Sequence, residues 1–65
     1  MKVKKLIKKL SKNTMVSYGD TGGNFLCNRR VGEYADYGFE EYHIEKIWLS
    51  TLSSGEPKIN ITISK

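Results

Sequence analysis

Cys27, His43 and the adjacent pair Glu40 and Glu41 are the side chains in this 65-residue chain whose types suit catalysis. A thiol beside an imidazole makes a nucleophile with its base, and two carboxylates can divide acid and base work. The chain holds one Cys and one His, and they fall on different expected elements with no spacing that brings them together. Cys27 alternates with Phe25, as a small core residue of a strand does. Neighbouring acids in a polar loop are ordinarily just solvated, and so short a chain encloses little volume for a water-excluding pocket. One Cys and one His cannot supply the four ligands of a structural zinc site. The stretch GDTGGN, residues 19–24, has the glycines of a phosphate-cradling loop. No Gly-Lys-Ser/Thr follows it, and its flanks read strand to strand, so it is expected to be a hairpin turn. The expectation is a non-enzymatic protein without metal or cofactor.

Binding is the better-supported chemistry. Five of the seven acidic residues lie between Glu33 and Glu45, with no Lys or Arg before Lys46, and Tyr34, Tyr37, Phe39 and Tyr42 are interleaved with them. Gly32 and Gly38 bracket the first half of this stretch, which implies a loop. Tyrosines bury large area with few rotors while keeping a polar end, which suits an interface, and surrounding carboxylates steer toward a basic partner. Tyr34, Asp36, Tyr37, Phe39, Glu40, Glu41 and Tyr42 are therefore the candidate partner-binding residues. The competing expectation is that one or two of the aromatics close the core and the acids balance the lysines.

The lysines form a second candidate. Lys2, Lys4, Lys5, Lys8, Lys9 and Lys12 surround an apolar stripe, and the formal net charge is +4. Such a footprint can contact phosphates. The set Lys4, Lys5, Lys8, Lys12, Arg29 and Arg30 would bind nucleic acid without reading sequence, because base reading on a helix uses Arg, Asn or Gln.

These residues need elements to position them. In VKKLIKKL, Val3, Leu6, Ile7 and Leu10 follow i, i+3, i+4, i+7, which predicts a helix of about three turns ending near Asn13. Residues 14–18 and 24–31 read as a hairpin around GDTGG. Residues 39–49 are ambiguous between a second helix and a strand. Ile44, Ile47, Trp48 and Thr51 favour the strand, and a hairpin partner is needed for KINITIS, whose Ile59, Ile61 and Ile63 alternate inward. The expected fold is α+β, a single domain over residues 1–65: one short N-terminal amphipathic helix packed on a four-stranded antiparallel sheet.

A domain this small buries only about 60% of its unfolded surface, so a partner adds to its stability. A homodimer pairing the last strand, residues 58–64, edge to edge is one such expectation. No apolar run approaches a membrane span, Lys8 and Lys9 interrupt any signal-like segment, and the lone Cys fits a reducing compartment. The expected setting is cytoplasmic, with no membrane.

The start MKVKKLIKKLSKN, followed by a compact sheet, resembles small phage and prophage reading frames that open on a Met-x-Val-x-x-Leu-Ile-x-x-Leu helix. The resemblance covers residues 1–12. Some small proteins of that setting are anti-CRISPR proteins, which share no common motif and bind CRISPR effectors. The resemblance implies an inhibitor acting in a bacterial host cell on a larger protein or nucleoprotein complex, such as a Cas effector.

Overall fold

The computed structural model describes residues 1–32 and 38–65. In chain order the elements are α1 (Val3–Ile7), β1 (Met15–Asp20), β2 (Phe25–Arg30), β3 (His43–Thr51) and β4 (Pro57–Ser64). The four strands make one sheet in the order β2-β1-β4-β3. Two antiparallel hairpins, β1–β2 and β3–β4, are joined by a parallel pairing of β1 with β4, from Met15 opposite Lys58 to Asp20 opposite Ile63. The α+β architecture is as expected, but the sheet is mixed rather than wholly antiparallel. The reason lies in burial. Val16 and Tyr18 on β1 and Ile61 and Ile63 on β4 are the buried apolar strand residues, and side-by-side pairing puts all four at the sheet's centre.

Parallel central strands dictate the route of the chain between the hairpins. β2 ends at Arg30, opposite Met15, whereas β3 begins at His43, opposite Ser64. The connection must therefore run from one end of one edge to the other end of the other edge, over three inter-strand gaps of about 4.8 Å each. Its described ends are packed on the same sheet face: Val31 is buried, and Phe39 and Tyr42 lie against the core.

Helix α1 covers that face too, through buried Val3 and partly buried Leu6 and Ile7. It is five residues long, not three turns. Beyond Ile7 the chain tightens, with Lys9 N–H bonded to the Leu6 carbonyl and Leu10 N–H to the Ile7 carbonyl, both three residues back. Like charges four apart, Lys4 with Lys8 and Lys5 with Lys9, disfavour a longer α-helix. Leu10 still reaches the core, and Asn13 turns the chain at φ 72° with its N–H on the Val31 carbonyl.

β4 is interior, so pairing of two chains through residues 58–64 is overturned: both its sides are already bonded, to β1 and to β3. The sheet edges are β2 and β3.

Ile61, 1% exposed at the middle of β4, tests this arrangement. Ile61→Ala should lower unfolding free energy by about 3 kcal/mol and Ile61→Val by about 1 kcal/mol. Both are read from urea denaturation with an unchanged slope; a loss of only a few tenths for the Ala variant contradicts the central placement.

Candidate functional site

The acidic-aromatic residues divide into three groups. Tyr34, Asp36 and Tyr37 lie outside the described residues. Phe39 and Tyr42 are half-buried: Phe39 packs 5.3 Å from the Tyr18 ring and meets Tyr42 edge-on at the same centroid distance. Glu40 and Glu41 serve the helix. The first turn of α1 has no side-chain cap, and its Val3 and Lys4 N–H groups are instead satisfied by the carbonyls of Tyr42 and Glu40. The Glu41 carboxylate bridges Lys2 at 2.9 Å and Lys4 at 2.6 Å. Its hydrogen bonds from Lys4 and then Lys2 draw its pKa down to about 2 from an ordinary 4.5.

The cationic candidates are likewise dispersed. Lys4 is ion-paired with Glu41. Arg30 makes a two-pronged pair with Glu56 in the β3–β4 turn, at 2.6 and 3.1 Å, and donates to the Asn13 carbonyl at 2.9 Å. The same pair pulls the Glu56 pKa down. Arg29 and Arg30 are neighbours on a strand and so point to opposite faces. The stem of Lys12 lies over Gly32, where an added Cβ would sit 3.2 Å from its Cγ. Lys5 and Lys8 remain exposed on the helix side. Cys27 packs against the core on β2, and His43 opens β3; they occupy opposite edges with β1 and β4 between them. Among the described residues no three His, Cys, Asp or Glu side chains gather as a metal site, and no helix is long and apolar enough to cross a membrane.

The sheet face away from the helix carries two exposed aromatic rings, Phe25 and Trp48. Strand alternation places Ser17 and Gly19 of β1, Lys58, Asn60 and Thr62 of β4, and Lys46, Trp48 and Ser50 of β3 on this face. A register shift after Tyr18 sets Phe25 opposite Gly19 and so turns it to the same side. Phe25 is 66% exposed and Trp48 50%. They flank a shallow depression of about 190 Å³ whose floor is made of Ser17, Gly19, Asn60 and Thr62. Small floor residues keep the depression open between the two rings. Gly19 also allows the turn to close, since a Cβ there would stand 3.3 Å from the Asn24 carbonyl.

Two anchors fix this surface. Asn60, 8% exposed, donates from Nδ2 to the Ser50 hydroxyl at 2.9 Å and more weakly to the Trp48 carbonyl at 3.4 Å, which holds the Trp48 segment. In the β1–β2 turn, Asp20 Oδ1 accepts the N–H groups of Gly22 and Asn24 at 2.9 Å each, and its Oδ2 accepts from the Asn24 side chain at 3.2 Å. These bonds, the Asn24 backbone first, lower the Asp20 pKa and keep it ionised at the rim. Asp20, Glu45 and Lys46 border the trough that continues past Trp48.

The Phe25–Trp48 face was not apparent from residue spacing alone. The signal available was the unbroken run Ile47-Trp48-Leu49: three apolar residues in succession on a strand must put apolar side chains on both faces. Compared with protein-family models, curated proteins and solved structures, the chain matches none.

Because folding lowers the Glu41 pKa, its stabilising contribution is fully present above about pH 4.5 and is lost as pH falls toward 2. Wild type should melt above Glu41→Gln at pH 7, and the gap should close by about pH 2. Thermal unfolding across that range checks this, and a gap unchanged with pH contradicts the ion-pair role.

Proposed function

We propose that this chain is a non-enzymatic binding protein that inhibits a larger protein complex, and that its contact surface is the bare face of the sheet around Phe25 and Trp48. The observation that carries this reading is the pair of exposed aromatics, 66% and 50% accessible, on a floor of small polar residues. Apolar patches of this kind mark interaction sites on small domains, and aromatic anchors around a pocket are what interface hot spots are made of. The described part of the acidic-aromatic stretch supports the proposal indirectly. Phe39, Tyr42 and Glu41 hold the fold together, so contacts move to the opposite face, with Tyr34, Asp36 and Tyr37 as additional candidates. The N-terminal resemblance to phage reading frames makes an anti-CRISPR protein acting on a Cas effector the most concrete form of the proposal.

One observation favours a second reading, single-stranded nucleic acid. Lys46 and Lys58 share the face with the two rings, and bases stack on exposed aromatics beside cations. Against it, Asp20 and Glu45 stand at the rim, and Asp20 is held ionised. A protein partner with its own basic and apolar groups fits both features.

Trp48 is the sole tryptophan, so its fluorescence separates the readings. The protein-binding proposal expects no quenching by an unstructured oligothymidine at 0.15 M salt. It also expects relief of CRISPR interference in a plasmid-clearance assay by wild type and loss of that relief in Phe25→Ala/Trp48→Ala. Quenching that weakens steeply with salt moves the function to nucleic acid. Wild type that fails to relieve interference removes the anti-CRISPR form.

A further inference from the structure

We propose that two copies of this chain pair through β3, antiparallel about a twofold axis at Trp48, to make a continuous eight-stranded sheet. The argument starts from what covers the outer edge of β3. The N-terminal segment occupies its beginning: Val3 N–H bonds to the Tyr42 carbonyl and Ile44 N–H to the Met1 carbonyl, each at 2.9 Å. At the other end Leu52 turns inward, its N–H on the Glu56 carbonyl at 2.8 Å. Among the described residues nothing bonds to the outer backbone between these points, residues 45–51. The midpoint of that open stretch is Trp48, so a twofold axis there uses the whole open edge and leaves the N-terminal segments clear of each other.

The backbone phase agrees. Leu52 bonds inward, and by alternation Thr51, Leu49 and Ile47 present their N–H and C=O groups outward. With the axis at Trp48, Ile47 of one copy forms a hydrogen-bonded pair with Leu49 of the other, twice over. The two Trp48 residues face each other as the closer, non-hydrogen-bonded pair.

The side chains decide the occupant. Ile47 at 50% exposed and Leu49 at 74% lie on the helix side of β3, yet neither belongs to the core or packs against it. In this register each covers the other across the axis, and Trp48 meets Trp48 on the bare face. Lys46 stands opposite Ser50 and Glu45 opposite Thr51, so no like charges oppose each other, which in a sheet would be destabilising. Moving the axis by one residue either way sets Lys46 opposite Trp48 or opposite Leu52. An exposed apolar edge that matches itself in one register fits a second copy, the symmetric solution most small oligomers adopt. This inference stands whatever the bare face binds; pairing would run the two faces together.

Three apolar side chains and one strand edge per copy make an interface at the small end of stable ones, so dissociation on the order of 10 µM is expected. Sedimentation velocity of wild type from about 1 to 500 µM should show a monomer–dimer equilibrium centred there. Leu49→Lys, at a position exposed in the single chain, should keep the circular dichroism and weaken dimerisation more than tenfold. Geometry is tested by cross-linking in a Cys27→Ser background under a mild oxidant. W48C should join two chains readily, since facing residues at the axis are within disulfide reach, whereas S50C should not. A monomer at all concentrations, a dimer indifferent to Leu49→Lys, or S50C cross-linking as well as W48C overturns the proposal.

Discussion

The parallel pairing of β1 with β4 is the constraint on which the rest of this molecule depends. It gathers Val16, Tyr18, Ile61 and Ile63 at the centre of the sheet, and it obliges the chain to travel diagonally between its two hairpins. That journey brings Phe39 and Tyr42 onto the face that α1 also covers. Helix α1 and the described ends of the connection, Val31, Phe39 and Tyr42, lie on the same side of the sheet. Among the described residues nothing covers the opposite face, and the same connectivity leaves β2 and β3 as the outer strands.

The helix shows how little of this depends on local propensity. Five residues, with Lys8 and Lys9 following four after Lys4 and Lys5, would not hold a helix in water. The carbonyls of Glu40 and Tyr42 satisfy its first N–H groups and Glu41 bridges two of its lysines, so the end of the connection and the start of the chain hold each other in place. Glu41, part of what looks like an interaction surface in the sequence, is a counterion of the N-terminal lysines, and Glu40 contributes its carbonyl to the helix start. Arg30 and Glu56 do the same for the far ends of the two hairpins, across 26 residues of chain.

What could be read from the sequence follows from the range of the physics involved. The β1–β2 hairpin was legible because its turn chemistry is local: Asp20 accepts from Gly22 and Asn24 within four residues. The inward set Ile59, Ile61 and Ile63 was legible from period two. Cys27 does pack on the core, but the register shift puts Phe25, two residues away, on the other face, so their alternation was no guide. Period two cannot tell a parallel neighbour from an antiparallel one, so β4 was placed at an edge when it is central. Phe39 and Tyr42 carry no mark separating a core aromatic from an exposed one, because their burial is decided by the crossing of the sheet. Trp48 and Phe25 were missed for the converse reason. Each sits in an apolar context that reads as buried, and whether a layer covers a strand position is set by the topology rather than by the local sequence.

The bare face also explains why its composition is so uneven. The centre of this face is polar: Ser17 and Asn60 are buried there, Asn60 bonded to the Ser50 hydroxyl, with Thr62 and Lys58 beside them on β4. Two large aromatics among them are a different matter. Phe25 is held to this side by a register shift beside Gly19, and Trp48 by the Asn60 hydrogen bonds to its strand. If the rings were merely surplus apolar surface, a small polar residue at either position would serve the fold equally well, because neither ring belongs to the core. The same reasoning extends to Ile47 and Leu49 at the edge, which likewise lie outside the core.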